Sequence, residues 1–136
     1  MNKIEFNTQI ATTIEQSKRL LELGLNHETS DMLHYKSASM KIWGVLATPY
    51  SKEVNGLEKY YFPAWSLHRL IAMLPDKIEV MPHSYFVLNL DKNSIAYIDS
   101  LGWGKVVCER GLFYDNIIDC IEWLIQKNYF NKEYLK

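Results

Sequence analysis

The stretch Ala64–Pro75, AWSLHRLIAMLP, limits what this chain can fold into more than any other segment. Ser66 is a favoured helix N-cap, because its short side chain can accept from a first-turn N–H that has no other partner. Leu67, Leu70, Ile71 and Leu74 follow at i, i+3, i+4 and i+7, and Pro75 forces the residue before it out of the helical region. Trp65, one position before the cap, is placed to staple onto Leu70. The helix so bounded has two turns, and an isolated helix shorter than ~12 residues is marginal in water. Its leucine face must therefore dock on a surface, and the remaining sequence offers a sheet.

Tyr85–Leu90 (YFVLNL) and Ser94–Asp99 (SIAYID) flank Asp91-Lys92-Asn93 and read as a hairpin, with Asn93 available for a positive φ. A Lys92-Asn93 loop sets Leu90 opposite Ile95 and Leu88 opposite Tyr97, with Phe86 extending the same apolar face. Val106–Glu109 is a further short strand. Met40–Thr48 (MKIWGVLAT) reads as a strand stopped by Pro49, and Leu57–Phe62 as its antiparallel return, ended by Pro63. Residues 26–39 are polar and without period, which predicts a loop with one helical turn around Ser30–Leu33.

Two further helices complete the pattern. Thr12-Thr13-Ile14-Glu15 has capping-box spacing, so a helix should start there, with Gly24 in the left-handed position and Leu25 folded back onto Leu20 at its end. The last helix spans about Tyr114 to Lys127. At 100° steps its apolar residues fill an arc of ~160°, and Trp123 alone breaks the division, lying among Asp119, Asn116 and Lys127. The reading is a single α+β domain over residues 1–136. It has an antiparallel sheet of four to five strands, covered on one face by the second and third helices, with the first at its edge.

Composition excludes several classes of function. The chain has 136 residues, 48% apolar and 13% aromatic, with 15 Lys and Arg against 16 Asp and Glu. That supports a packed core and leaves no strong field to gather phosphate or anionic lipid. Only Arg19, Arg69 and Arg110 offer the planar forks that read guanine, so sequence-specific DNA binding is disfavoured. No apolar run is long enough to cross a bilayer, no secretory signal is visible, and the two cysteines suggest reduced thiols. A cytoplasmic protein without membrane partners is expected.

The segments Thr13–Leu25, Thr29–Met32, Pro63–Leu67, Trp123–Ile125 and Lys132–Leu135 together resemble a group of small uncharacterised proteins that recur in Bacteroides-type genomes, often among prophage or mobile-element genes. The resemblance implies bacterial context and brings no activity, cofactor or catalytic residue with it.

Candidate chemistry is sparse. A cysteine hydrolase would need a thiolate beside an oriented imidazole, and Cys108, His83 and Asp99 are the residues adjacent strands could assemble. Cys108 after two valines and Cys120 on an apolar helix face also suit small buried residues. His27, Asp31, His34, His68 and His83 lack the close pairing of a structural zinc site. Gly102-Trp103-Gly104-Lys105 opens no helix and so matches no phosphate loop. Trp103, Tyr97, Tyr60 and Tyr61 could stack single-stranded nucleic acid, but without a basic groove. The reading favoured here is a non-enzymatic protein-binding accessory module, able to pair with itself, that uses no cofactor and no metal. Trp123 is its main contact, flanked by Asp119, Lys127 and Trp103; the competing reading folds the tail residues Tyr129, Phe130, Tyr134 and Leu135 over Trp123 within the same chain.

Overall fold

The structure, a computed structural model, describes residues 9–37, 39, 42–50, 60–99, 101, 104–109 and 111–136, with 104 and 105 as backbone only. Among these the chain forms helices α1 (Ile14–Glu22), α2 (Leu67–Ala72) and α3 (Phe113–Gln126). The strands are β1 (Met32–Tyr35), β2 (Gly44–Leu46), β3 (Tyr61–Ala64), β4 (Lys77–Met81), β5 (Ser84–Leu90), β6 (Ile95–Ile98) and β7 (Gly104–Cys108). This is the expected α+β class. The strands are divided between two antiparallel sheets, ordered β2-β1-β3 and β4-β5-β6-β7, where the sequence suggested one.

The four-stranded sheet follows the hydrophobic pattern. Leu90 lies opposite Ile95 and Leu88 opposite Tyr97, the register read from the sequence. The turn between them does not use Asn93 for a positive φ; among described non-glycine residues that conformation is found at His83 and Asn128. The Asp91 N–H donates to the Ser94 carbonyl at 2.9 Å, and the Asp91 carboxylate accepts from the Lys92 N–H at 2.6 Å. Strand β4, which the sequence reading missed, alternates exposed Lys77 and Glu79 with buried Ile78 in the ordinary half-buried manner. Ile78, Phe86, Leu88, Ile95, Tyr97 and Val106 join α2 and α3 in one core with Trp65, Leu70, Ile117 and Ile121. Burying a side chain of this size stabilises by roughly 1.5–3 kcal/mol, so the sheet supplies the surface that the two-turn helix needs.

The helix ends mostly match their sequence signals. Ser66 accepts from the Arg69 N–H, and Gly24 has φ +103° with the Leu25 N–H donating to the Leu20 carbonyl at 3.1 Å. The α1 capping box lies one residue later than expected: Thr13 and Gln16 form it, not Thr12 and Glu15. Thr12 is committed elsewhere. It is fully buried, its hydroxyl meets Ser17 Oγ at 2.7 Å, and it accepts from the Trp65 N–H at 3.0 Å.

The three-stranded sheet corrects the sequence reading most. The hairpin expected between Met40–Thr48 and Leu57–Phe62 does not form, because β1 inserts between β2 and β3 and pairs with both. Residues 32–35, expected to be loop, are thus the central strand. Its histidine is paid for by a tertiary bond: His34 is buried, with Nε2 at 2.7 Å from the Thr12 carbonyl. Pro63 lies within β3 and does not end it, which an edge strand tolerates. Gly44 is required by close approach, since a Cβ there would come within 2.7 Å of the Tyr35 ring. Residues 40, 41 and 51–59 of the expected hairpin lie outside the described residues. Among the described residues no helix is long and apolar enough to cross a membrane.

Candidate functional site

Helix α3 organises the region around Trp123, and the part of its surface that reads as polar is mostly occupied. On one side α1 docks against it through side-chain bonds. Gln16 Nε2 donates to Asp115 Oδ1 at 2.8 Å, and the Arg19 guanidinium donates to Asp119 at 2.6 Å and Glu122 at 2.7 Å. Partial burial opposes the Arg19 charge, but the hydrogen bonds and charges of Asp119 and Glu122 outweigh it and raise the pKa. The three side chains keep about a fifth to two fifths of their surface in solvent, so each pair contributes about 1 kcal/mol or less. Asp119 is therefore engaged within the chain.

On the other side, Asn116, Cys120 and Trp123 form a seam at i, i+4 and i+7 that faces the four-stranded sheet. Asn116 is fully buried; its Nδ2 donates to the Asn93 carbonyl at 2.8 Å and the Gly111 carbonyl at 3.1 Å, and its Oδ1 accepts from the Gly111 N–H at 3.0 Å. Cys120 belongs to the core cluster against which Cys108 of β7 packs, and Cys108 together with burial raises its pKa. The Trp123 ring stacks on Tyr97 of β6 at 6.1 Å and 29°, and packs tilted against Tyr129 of the C-terminal segment at 5.7 Å and 49°. Trp123 is thus half-buried between sheet and tail, which is the intramolecular covering that competes with its use as a contact. Lys127 is exposed at the end of α3, and Trp103 lies outside the described residues.

The other candidate constellations come apart. His83 occupies the turn before β5, whereas Cys108 aligns through Ile95 with Leu90 at the far end of that strand. Six residues of strand separate them, roughly 20 Å along the sheet, so the Cys108–His83–Asp99 grouping does not assemble. Tyr97 is fully buried with its hydroxyl donating to the Pro75 carbonyl at 2.7 Å, which removes it from any base-stacking platform. Asp31 accepts from the Ser66 N–H and hydroxyl at the start of α2, and His27 packs on Tyr50 at 5.1 Å. Among the described residues no cluster of three His, Cys, Asp or Glu side chains could hold a metal ion.

Two features escaped the sequence reading. A cleft of about 250 Å³ lies between Ala72–Pro75 and the tail residues Tyr129, Asn131 and Tyr134, smaller than the ~300–1,000 Å³ of most ligand pockets. Among the described residues, the outer face of the four-stranded sheet carries exposed Tyr85, Val87 and Val107, half-buried Ile98 and buried Ala96 beside Lys77, Glu79 and Asn89. Its signal was present, since residues alternating with a buried strand face point outward. No protein-family profile, curated protein or solved structure matches the chain.

Proposed function

We propose that this protein is a non-enzymatic protein-binding module that pairs with a second copy of itself through the outer face of the four-stranded sheet. The observation that carries this reading is the exposure of Tyr85, Val87 and Val107 at 44%, 46% and 50% on the same face of the sheet. Val87 stands opposite Ile98, and Val107 opposite Ala96, so the apolar positions are cross-strand neighbours and not scattered singles. Lys77 and Glu79 border the patch two residues apart on edge strand β4. A two-fold pairing sets Lys77 of one protomer beside the partner's Glu79, the self-complementarity that a closed dimer needs. A net charge of −1 leaves little repulsion between copies. The resemblance to small proteins of mobile elements fits an accessory role of this kind.

Analytical ultracentrifugation of wild type and Val87→Lys tests the reading. A wild-type dimer whose dissociation constant rises at least tenfold in the variant, with an unchanged melting temperature, supports it. A wild type that stays monomeric at high concentration, or a variant that dimerises as well as wild type, overturns it.

A further inference from the structure

Cys108 and Cys120 are brought together from different elements. In β7, Val106 and Cys108 point toward the core while Val107 points outward, and in α3 Cys120 lies on the seam that faces the sheet. α3 packs on β7, and Cys108 packs against the core cluster that contains Cys120, near enough to raise its pKa. Both elements are held in place on either side of the pair: β7 by its register against β6, and the start of α3 by Asn116, which ties the Gly111 turn to the Asn93 carbonyl. Cys108 is half-buried and Cys120 fully buried, so a small oxidant reaches the first and not the second.

We infer that Cys108 and Cys120 form a reversible redox pair, in which a hydroperoxide converts the dithiol to an intramolecular disulfide that fastens edge strand β7 to α3. Cys108 attacks the peroxide oxygen, the O–O bond breaks, and a sulfenic acid forms as water or an alcohol departs. The Cys120 sulfur then displaces the sulfenic hydroxyl, which leaves as water with the Cys120 proton. Two electrons pass from the thiol pair to the peroxide, and a dithiol reductant restores the starting state. Cys108 is the thiol that solvent reaches, which gives it the attacking role and leaves the buried Cys120 to resolve; the raised Cys120 pKa keeps that thiol protonated and slows the resolving step.

The experiment is oxidation of the purified protein with hydrogen peroxide, followed by unfolding, alkylation and intact-mass analysis, alongside the Cys108→Ser and Cys120→Ser variants. The expected product is a monomer two hydrogens lighter that takes up no alkylating group, recovers both thiols with dithiothreitol, and melts roughly 5–10 °C higher than the reduced form. Each single variant should lose this product. If wild type retains two alkylatable thiols, accumulates sulfinic acid on Cys108, or forms only intermolecular disulfides, the inference fails, and this readout on wild type does not depend on the variants folding.

Discussion

The two sheets of this protein are stabilised in different ways. The four-stranded sheet carries large apolar side chains on its inner face and is closed by α2 and α3, and its central partners are near neighbours in sequence. The three-stranded sheet pairs β1 with the nearby β2 and with the distant β3 around a small apolar group, Ala11, Met32 and Ala64, and is secured by buried polar side chains. Thr12, just before α1, bonds to Ser17 of that helix, to His34 of β1 and to the Trp65 N–H after β3, and Asp31 bonds to the cap of α2. The comparison teaches that apolar area suffices where partners are local, whereas distant segments here are joined by hydrogen bonds whose loss leaves groups buried and unpaired.

Removing an aromatic from the seam beside the four-stranded sheet should have the largest effect. Trp123→Ala abolishes the ring contacts with Tyr97 and Tyr129 and should cost about 3 kcal/mol in urea unfolding. Unchanged stability would mean that the tail does not cover Trp123 and would return that residue to the role of a partner contact. Thr12→Val, nearly isosteric, strands the Trp65 N–H and should cost about 2 kcal/mol by the same measurement. A cost below about 0.5 kcal/mol would remove the polar network as the organiser of the three-stranded sheet.

A smaller effect, spread over pH, sharpens the contrast from the apolar side. Burial holds the Tyr97 and Tyr114 hydroxyls protonated beyond their ordinary range, and Cys108, then burial, does the same for Cys120. With native pKa values above unfolded ones, the stability these groups contribute is fully present below about pH 9 and falls as pH rises past it. Urea midpoints should therefore decline from about pH 9 upward, and Tyr97→Phe should flatten the decline above about pH 10. A flat profile would show that these groups reach solvent.

The β5–β6 register, the caps of α2 and the end of α1 were legible because each is a short-range signal, and a period or a cap lies within a few residues. The strand at Met32–Tyr35 was not, since its four residues have no alternation of their own and acquire order from β2, β3 and the Thr12 carbonyl. The placement of Trp123 in a polar arc was correct as geometry on the helix, yet the sheet and tail that cover it come from residues 97 and 129. The capping box slipped by one residue for a related reason: Thr12 and Thr13 are equivalent caps locally, and only the burial of Thr12 against Trp65 separates them.

Amino-acid order alone determined that the chain mixes helices and antiparallel strands, because hydrophobic period and turn chemistry are properties of neighbouring residues. Tertiary structure decided that the strands divide into two sheets, that Asp119 pairs with Arg19, that Cys108 packs against the core around Cys120 and away from His83, and that Tyr85, Val87 and Val107 stay exposed on one sheet face. Each of these depends on which distant surfaces pack together, and packing is settled by the summed burial and hydrogen bonding of the whole chain, which no short stretch encodes.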